Sequence, residues 1–97
     1  MADYPPRAAG ALFDNIQIVR DGDGRIHNDF GPAVIFPDGS TQHYQHGHLH
    51  RTNGPAIETT DGTIRWFLNG IEYKFEQWLN TIDLTEVEKA ELILIYR

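Results

Sequence analysis

Residues 24–46 read GRIHNDFGPAVIFPDGSTQHYQH, and residues 47–69 read GHLHRTNGPAIETTDGTIRWFLN. The two stretches align without a gap at a period of 23 residues. Identities fall at Gly24/Gly47, His27/His50, Gly31/Gly54, Pro32/Pro55, Ala33/Ala56, Asp38/Asp61 and Gly39/Gly62. Ile26/Leu49, Val34/Ile57, Ser40/Thr63 and Tyr44/Phe67 exchange like for like. Self-similarity of this kind marks a chain built from one supersecondary unit used twice. A third unit starts at Gly70 and carries Ile71-Glu72-Tyr73-Lys74 where the others have histidine.

Each unit reads as a β-hairpin. Val34-Ile35-Phe36 and Ala56-Ile57-Glu58 are extended, and Asp38-Gly39 or Asp61-Gly62 turns the chain, glycine meeting the demand for positive φ. Thr41–Gln45 and Ile64–Leu68 return, and Gly47 and Gly70 mark the next turns. Gly31-Pro32 and Gly54-Pro55 punctuate strand entry, because proline removes an N–H and holds its predecessor extended. Upstream, Ile16-Gln17-Ile18-Val19 reads as a lead-in strand ending at Asp21-Gly22-Asp23-Gly24.

Side chains alternate across a strand, so the paired positions separate the faces. Val34/Ile57 and Tyr44/Phe67 are apolar in both units and form the expected core. On the opposite face unit one has Thr41, His43 and Gln45, whereas unit two has Ile64, Trp66 and Leu68. Three large apolar side chains cannot stay wet together, so that face of unit two needs a cover. The C-terminus supplies it: Phe75–Leu79 looks helical, and Thr85 with Glu88 forms a capping box opening a helix over Glu86–Tyr96. Val87, Ala90, Ile93 and Leu94 are the expected packing residues of that helix. The expected fold is therefore mainly β (α+β), a twisted antiparallel meander of 23-residue hairpin repeats with a helical cap. It forms one domain over 1–97, with a lead-in at 1–23, repeats at 24–46 and 47–69, and a partial repeat plus cap at 70–97.

The pattern Tyr44-x-x-Gly47-x-x-His50-x-x-x-Gly54, then Asp61-Gly62 and Phe67-x-x-Gly70, resembles the MORN repeat. More closely, His50-Arg51-x-x-Gly54-Pro55-Ala56 with Trp66-Phe67-x-Asn69-Gly70 is similar to the MORN-like HR-x-x-GPA repeats found in bacteriophages, giant viruses and some bacteria. The resemblance covers Gly24 to about Gly70. Unit one departs from it, with Asn28 in place of arginine and a bulky Phe30 before Gly31. It implies a scaffold or interaction role, a phage or prophage origin, and the cytoplasm of a bacterial host. MORN proteins are also associated with phosphoinositide membranes, but the acidic charge of this chain argues against carrying that over.

Composition narrows the function classes. The 97 residues hold 14 acidic and eight basic side chains, a formal charge of −6. The basic residues are scattered and make no stripe to follow a phosphate backbone, so direct nucleic-acid binding is not expected. There is no cysteine, hence no disulfide framework and no thiolate metal site, which suits a reducing compartment. Met1 to Asn15 contains no apolar stretch of signal-peptide type. The longest apolar run, Leu92–Tyr96, is too short to span a bilayer. Ser40, the only serine, sits in a repeat turn without a nucleophile elbow, and no phosphate-cradling motif exists. The expectation is a non-enzyme without a cofactor.

Two stretches carry metal-ligand residue types. His46, His48 and His50 alternate, which on a strand would aim them to one face as ligands. However, Gly47 interrupts the strand, and His27/His50 recur as repeat positions, expected to hydrogen-bond Asp38, Asp61 or a turn carbonyl. Asp21-Gly22-Asp23-Gly24 fails as a calcium loop because Arg25, Ile26 and Pro32 stand where an oxygen ligand, glycine and glutamate are needed. What remains is binding to another protein. Two sets of residues are expected to carry it: the polar strand face Thr41, His43 and Gln45, and the acidic helix residues Glu86, Glu88 and Glu91, which would steer a basic partner surface. The exposed edge at Ile16–Val19 offers an alternative, a structural homo-oligomer or homodimer joined strand to strand.

Overall fold

A computed structural model describes residues 15–97. The reading of the first residues as lacking a signal sequence lies outside them. The chain forms β1 (Gln17–Ile18), β2 (Val34–Ile35), β3 (Thr41–Gln42), β4 (Tyr44–Gln45), β5 (His48–Leu49), β6 (Ile57–Glu58), β7 (Ile64–Leu68) and β8 (Ile71–Tyr73). Two helices follow, α1 (Phe75–Thr81) and α2 (Glu86–Tyr96). All strand pairs are antiparallel. Six strands make one sheet in the order β1-β2-β3-β6-β7-β8, and β4-β5 form a separate pair. The fold is mainly β with a helical C-terminus.

The two units share their backbone hydrogen bonds at the 23-residue offset. Ala33 N–H donates to Gln42 O as Ala56 N–H donates to Arg65 O, both at 2.9 Å. Gly47 N–H donates to Ile26 O as Gly70 N–H donates to Leu49 O, both at 2.8 Å. The Asp-Gly turns are three-residue loops: Phe36 N–H meets Ser40 O at 2.9 Å and Thr59 N–H meets Thr63 O at 3.0 Å. Only Gly39 and Gly62 take positive φ there, at 95° and 92°, the left-handed step that closes such a loop. Asp38 and Asp61 accept the amides of Ser40 and Thr63 at 2.8 and 3.0 Å. The other turns need two left-handed residues each, His46-Gly47 and Asn69-Gly70. Histidine and asparagine are among the few non-glycine residues that tolerate this region.

The recurring histidine ties one turn to the next. His27 Nδ1 accepts the amide of His46 at 3.0 Å, and His50 Nδ1 accepts that of Asn69 at 2.9 Å. This corrects the expectation of a bond to Asp38, Asp61 or a turn carbonyl. A turn amide has no ladder partner, so an acceptor there satisfies a donor the hairpin leaves open.

The cap lies over unit two as the sequence demands. Trp66, Leu68, Trp78, Leu79, Ile82 and Leu92 form one buried cluster. Trp66 is 5% exposed, with Trp78 at 4.5 Å and Tyr96 edge-on at 5.1 Å between ring centroids. Burying each such side chain contributes roughly 1.5–3 kcal/mol. Lys74 N–H donates to Gln77 Oε1 at 3.1 Å at the start of α1. At the start of α2 the capping box is complete: Glu88 N–H donates to Thr85 Oγ1 at 3.2 Å, and Thr85 N–H to Glu88 Oε1 at 2.9 Å.

Two packing expectations are corrected. The face of α2 turned to the core holds Leu92, Ile93 and Tyr96. Of the four residues expected to pack, only Ile93 does so. Ala90 is exposed, and Val87 and Leu94 are 71% and 84% exposed. Tyr96 against Trp66 and a fork of Arg97 on Glu76, at 2.7 and 2.9 Å, fix the rotation of the helix. Tyr44 is the second case. Phe67 is buried beside Ala56 and Ile57, whereas Tyr44 is half-buried and its hydroxyl donates to Gln42 Oε1 at 3.0 Å. A phenol keeps its polar tip toward a partner, which draws the ring to the surface.

Candidate functional site

The strand face that α1 and α2 cover in unit two is open in unit one. Where Trp66 and Leu68 stand in unit two, unit one has His43 and Gln45, and over them lies a cavity of about 440 Å³. The loops Asn28–Gly31 and Arg51–Asn53 form its walls. These loops are the excursions the chain makes before each Pro-Ala strand entry, so the repeat itself builds the two walls.

Most polar groups of this groove are held by the fold. Asn28 Nδ2 donates to Pro32 O at 3.1 Å and Asn28 Oδ1 accepts Phe30 N–H at 3.0 Å. Gln45 Nε2 donates to Asn28 O at 3.2 Å. In unit two the equivalent carbonyl, Arg51 O, accepts Trp78 Nε1–H at 3.0 Å. A glutamine of the strand thus does in unit one what a tryptophan of the cap does in unit two. The Arg51 guanidinium donates to Asn53 Oδ1 at 2.9 Å, Pro55 O at 3.1 Å and Glu58 Oε1 at 3.2 Å. It lies so close over Gly54 that a Cβ there would meet Cζ at 2.7 Å. Nη2 takes no part in these bonds.

Two features set the groove apart. His43 Nδ1 is buried and has no hydrogen-bond partner among the described residues. Burial first, and the Arg51 charge second, push the His43 pKa down to about 4, so the ring is neutral at neutral pH. Phe30, on the rim, is 97% exposed, and unit two has Asn53 at its place. At the rim of a groove such a ring is available to a partner.

The other expected residues fall around this groove. His43 and Gln45 line it, the first between β3 and β4 and the second in β4, and Thr41, in β3, lies outside the lining. A second cavity of about 290 Å³ is lined by Asn53, Leu84, Glu88, Glu91, Leu92 and Ile95. Asn53 belongs to both cavities, so the polar strand face and part of the acidic helix adjoin. Glu86 is outside the second cavity and exposed, and Glu88 is engaged in the helix cap. Capping, through the Thr85 amide first, lowers the Glu88 pKa and keeps it ionised. Glu76 is neutralised by Arg97, so the acidic stretch is weaker in space than in sequence.

The histidines do not group as 46, 48 and 50. His50 is tied to the Asn69 amide, and His48 packs beside Gly70. His46 instead meets Asp21 and His27, with ligand-type atoms of the three residues within 4.8 Å of one another. His46 Nδ1 lies 2.8 Å from Asp21 Oδ2, and the two imidazoles stack at 4.2 Å with planes 28° apart. A metal lies in the plane of each imidazole it binds, and stacked rings do not point at one ion. Asp21 is also occupied, accepting the amides of Asp23 and Arg25 at 2.9 and 3.0 Å and Arg25 Nε at 3.2 Å. These bonds, led by that with His46, hold its carboxyl well below the usual range. The cluster is a hydrogen-bond network that fastens the lead-in turn to the next hairpin.

Phe30, Arg51 and Asn53 line the groove and are not among the residues that sequence patterning singles out. Phe30 had a signal, since it breaks the repeat pattern; the joining of two grooves at Asn53 had none. Among the described residues no helix is long and apolar enough to cross a membrane. Comparison with protein-family models, curated proteins and solved structures gives no match.

Proposed function

We propose that this protein is a non-enzymatic, MORN-like binding module that acts by occupying another protein, through one surface running from Phe30 over His43 and Asn53 to Glu91. The observation that carries this reading is that the two cavities share Asn53. Four of the six residues that sequence singled out, His43 and Gln45 for polarity and Glu88 and Glu91 for charge, thereby become neighbours. Apolar anchors at both ends, Phe30 and the 67%-exposed Ile95, with polar groups between, match the make-up of protein interfaces. The buried setting of Ser40, whose Oγ accepts the Thr60 amide at 3.3 Å, supports the non-enzymatic reading. A phage or prophage protein that inhibits a host or defence complex fits this description, with Glu86 and Glu91 steering a basic part of the target.

The test is capture of the partner followed by variants at each end. Phe30→Ala should raise the dissociation rate, as loss of an aromatic anchor does. Glu86→Lys with Glu91→Lys should lower the association rate, more so at low salt. Glu88 is left intact because its carboxylate caps α2. Binding that tolerates all three changes overturns the reading. The alternative, a homo-oligomeric scaffold, is favoured by β1, which among the described residues pairs on one side only and leaves Ile18 and Val19 exposed. Proline at Gln17 would abolish that assembly and spare the groove.

A further inference from the structure

Resting on the binding surface just described, we infer that the unit-one wall of the groove receives an arginine side chain of the partner protein, its guanidinium on the Asp29 carboxylate and its stem against the Phe30 ring. The repeat isolates these two residues. Unit two carries Arg51-Thr52-Asn53 where unit one carries Asn28-Asp29-Phe30. The bond that ties the loop is common to both: Asn28 Nδ2 donates to Pro32 O as Arg51 Nη1 donates to Pro55 O, each at 3.1 Å. Either sequence therefore builds the loop, and the exchange instead turns a cationic loop into an anionic one with an aromatic ring at the next residue. Asp29 and Phe30 both line the groove.

The Asp29 charge is held in place and left unneutralised. His27 Nε2 lies 3.1 Å from Asp29 Oδ1, and Gln45 hydrogen-bonds the same carboxylate. His27 Nδ1 accepts the His46 amide, so the ring donates from Nε2 as a neutral imidazole. These two donors, His27 first, lower the Asp29 pKa and keep the carboxyl ionised, but neither cancels its charge. Among the described residues no lysine or arginine pairs with it, whereas Asp21, Asp23, Glu58, Glu72 and Glu76 each have an arginine. Arg51, in the other wall, is turned to Glu58 at 3.2 Å, and His43 between the walls is neutral at neutral pH. The uncompensated charge of the groove is thus the carboxylate at its Phe30 end.

A free carboxylate followed by an exposed ring is complementary to a guanidinium, which is planar, forks onto carboxylate oxygens and stacks on aromatic faces. The methylenes of an arginine cover apolar surface while its head stays on the charge, so one side chain uses both residues. The sign of the field persists along the surface: Glu91 lines the adjoining cavity, and Glu88 is kept ionised by its cap. A second copy of this chain, at a formal charge of −6, is repelled by such a surface.

The experiment uses the whole chain, labelled with ¹⁵N and ¹³C, and follows the Asp29 carboxyl carbon and the Phe30 ring by NMR. The probe is N-acetylarginine N-methylamide, and the control is its citrulline counterpart, of similar shape without the charge. Saturable shifts at both residues are expected with arginine, and affinity about tenfold weaker or no binding with citrulline. Asp29→Asn, which keeps an oxygen for His27 and Gln45, should weaken arginine binding about tenfold and remove its salt dependence. Phe30→Ala should weaken it by a smaller factor and keep the salt dependence. Equal response to arginine and citrulline, no response to either, or binding that survives Asp29→Asn overturns the inference. A stronger response to N-acetyllysine N-methylamide overturns the choice of arginine. In any of these events a captured partner that still depends on Phe30 and Glu91 leaves the binding surface standing, and only the arginine is lost.

Discussion

Trp78→Ala removes the side chain on which the cap turns. Trp78 is fully buried, with 0% exposure, and its ring meets Trp66 at 4.5 Å and Phe75 at 6.4 Å. Its indole also donates to Arg51 O at 3.0 Å, so one residue joins α1, β7 and the loop that walls the groove. Truncating a buried tryptophan costs about 3–5 kcal/mol. The Arg51 carbonyl then loses its donor, and an unpaired buried acceptor costs about 1–3 kcal/mol of that total or beyond it. A domain of this size has about 5–10 kcal/mol in all, so the variant is at the margin of folding. Trp78→Phe separates the terms: it keeps most of the apolar surface, loses the hydrogen bond, and should cost about 1–3 kcal/mol. Urea unfolding followed by Trp66 fluorescence reads both, with an unchanged slope marking a pure stability change. If Trp78→Ala unfolds within about 1 kcal/mol of the parent, the cap does not hold unit two together and the packing argument fails.

His50→Ala should cost about 1–2 kcal/mol because the Asn69 amide loses its acceptor, and His50→Asn should recover part of this; equal losses in the two variants, measured by urea midpoints, would contradict the turn-staple role. Acid should weaken the fold through His43. Its folded pKa of about 4 lies below the ordinary 6.5, so between these values the unfolded chain binds the proton and the folded chain does not. The stability it contributes is complete above pH 6.5 and is lost as pH falls toward 4, by on the order of 1–2 kcal/mol after solvent screening. His50, also lowered by burial, acts in the same direction. His43→Phe should flatten the stability–pH curve in this window, and a curve that keeps its slope would show that the ring is not held neutral.

The meander was legible because its turns carry strict residue demands. Gly39 and Gly62 close three-residue loops, Gly47 and Gly70 close two-residue loops, and the spacing of these four sets the hairpins. The need for a cap was legible too, since Ile64, Trp66 and Leu68 could not be left in water. The rotation of α2 was not. Residues 92–96 are apolar on all sides, so periodicity could not choose between a face with Leu94 and one with Leu92 and Tyr96. That choice is made by contacts distant in sequence, Tyr96 on Trp66 and Arg97 on Glu76. The site was half legible: His43 and Gln45 showed as polar residues at positions that are apolar in unit two. Arg51 became a site residue only through the fold, which lays it over Gly54 in the wall of the groove. Charge counting overstated the acidic stretch because a salt bridge to Arg97 and a helix cap are invisible in a sum.

The central claim is that the two grooves meeting at Asn53 act as one binding surface. Hydrogen–deuterium exchange of the chain alone and in complex with its captured partner tests it most directly. The account predicts added protection at residues 28–31, 43–53 and 88–95 together, with the amides of β1 unchanged. Protection confined to 16–20, along the open edge of the sheet, would contradict it.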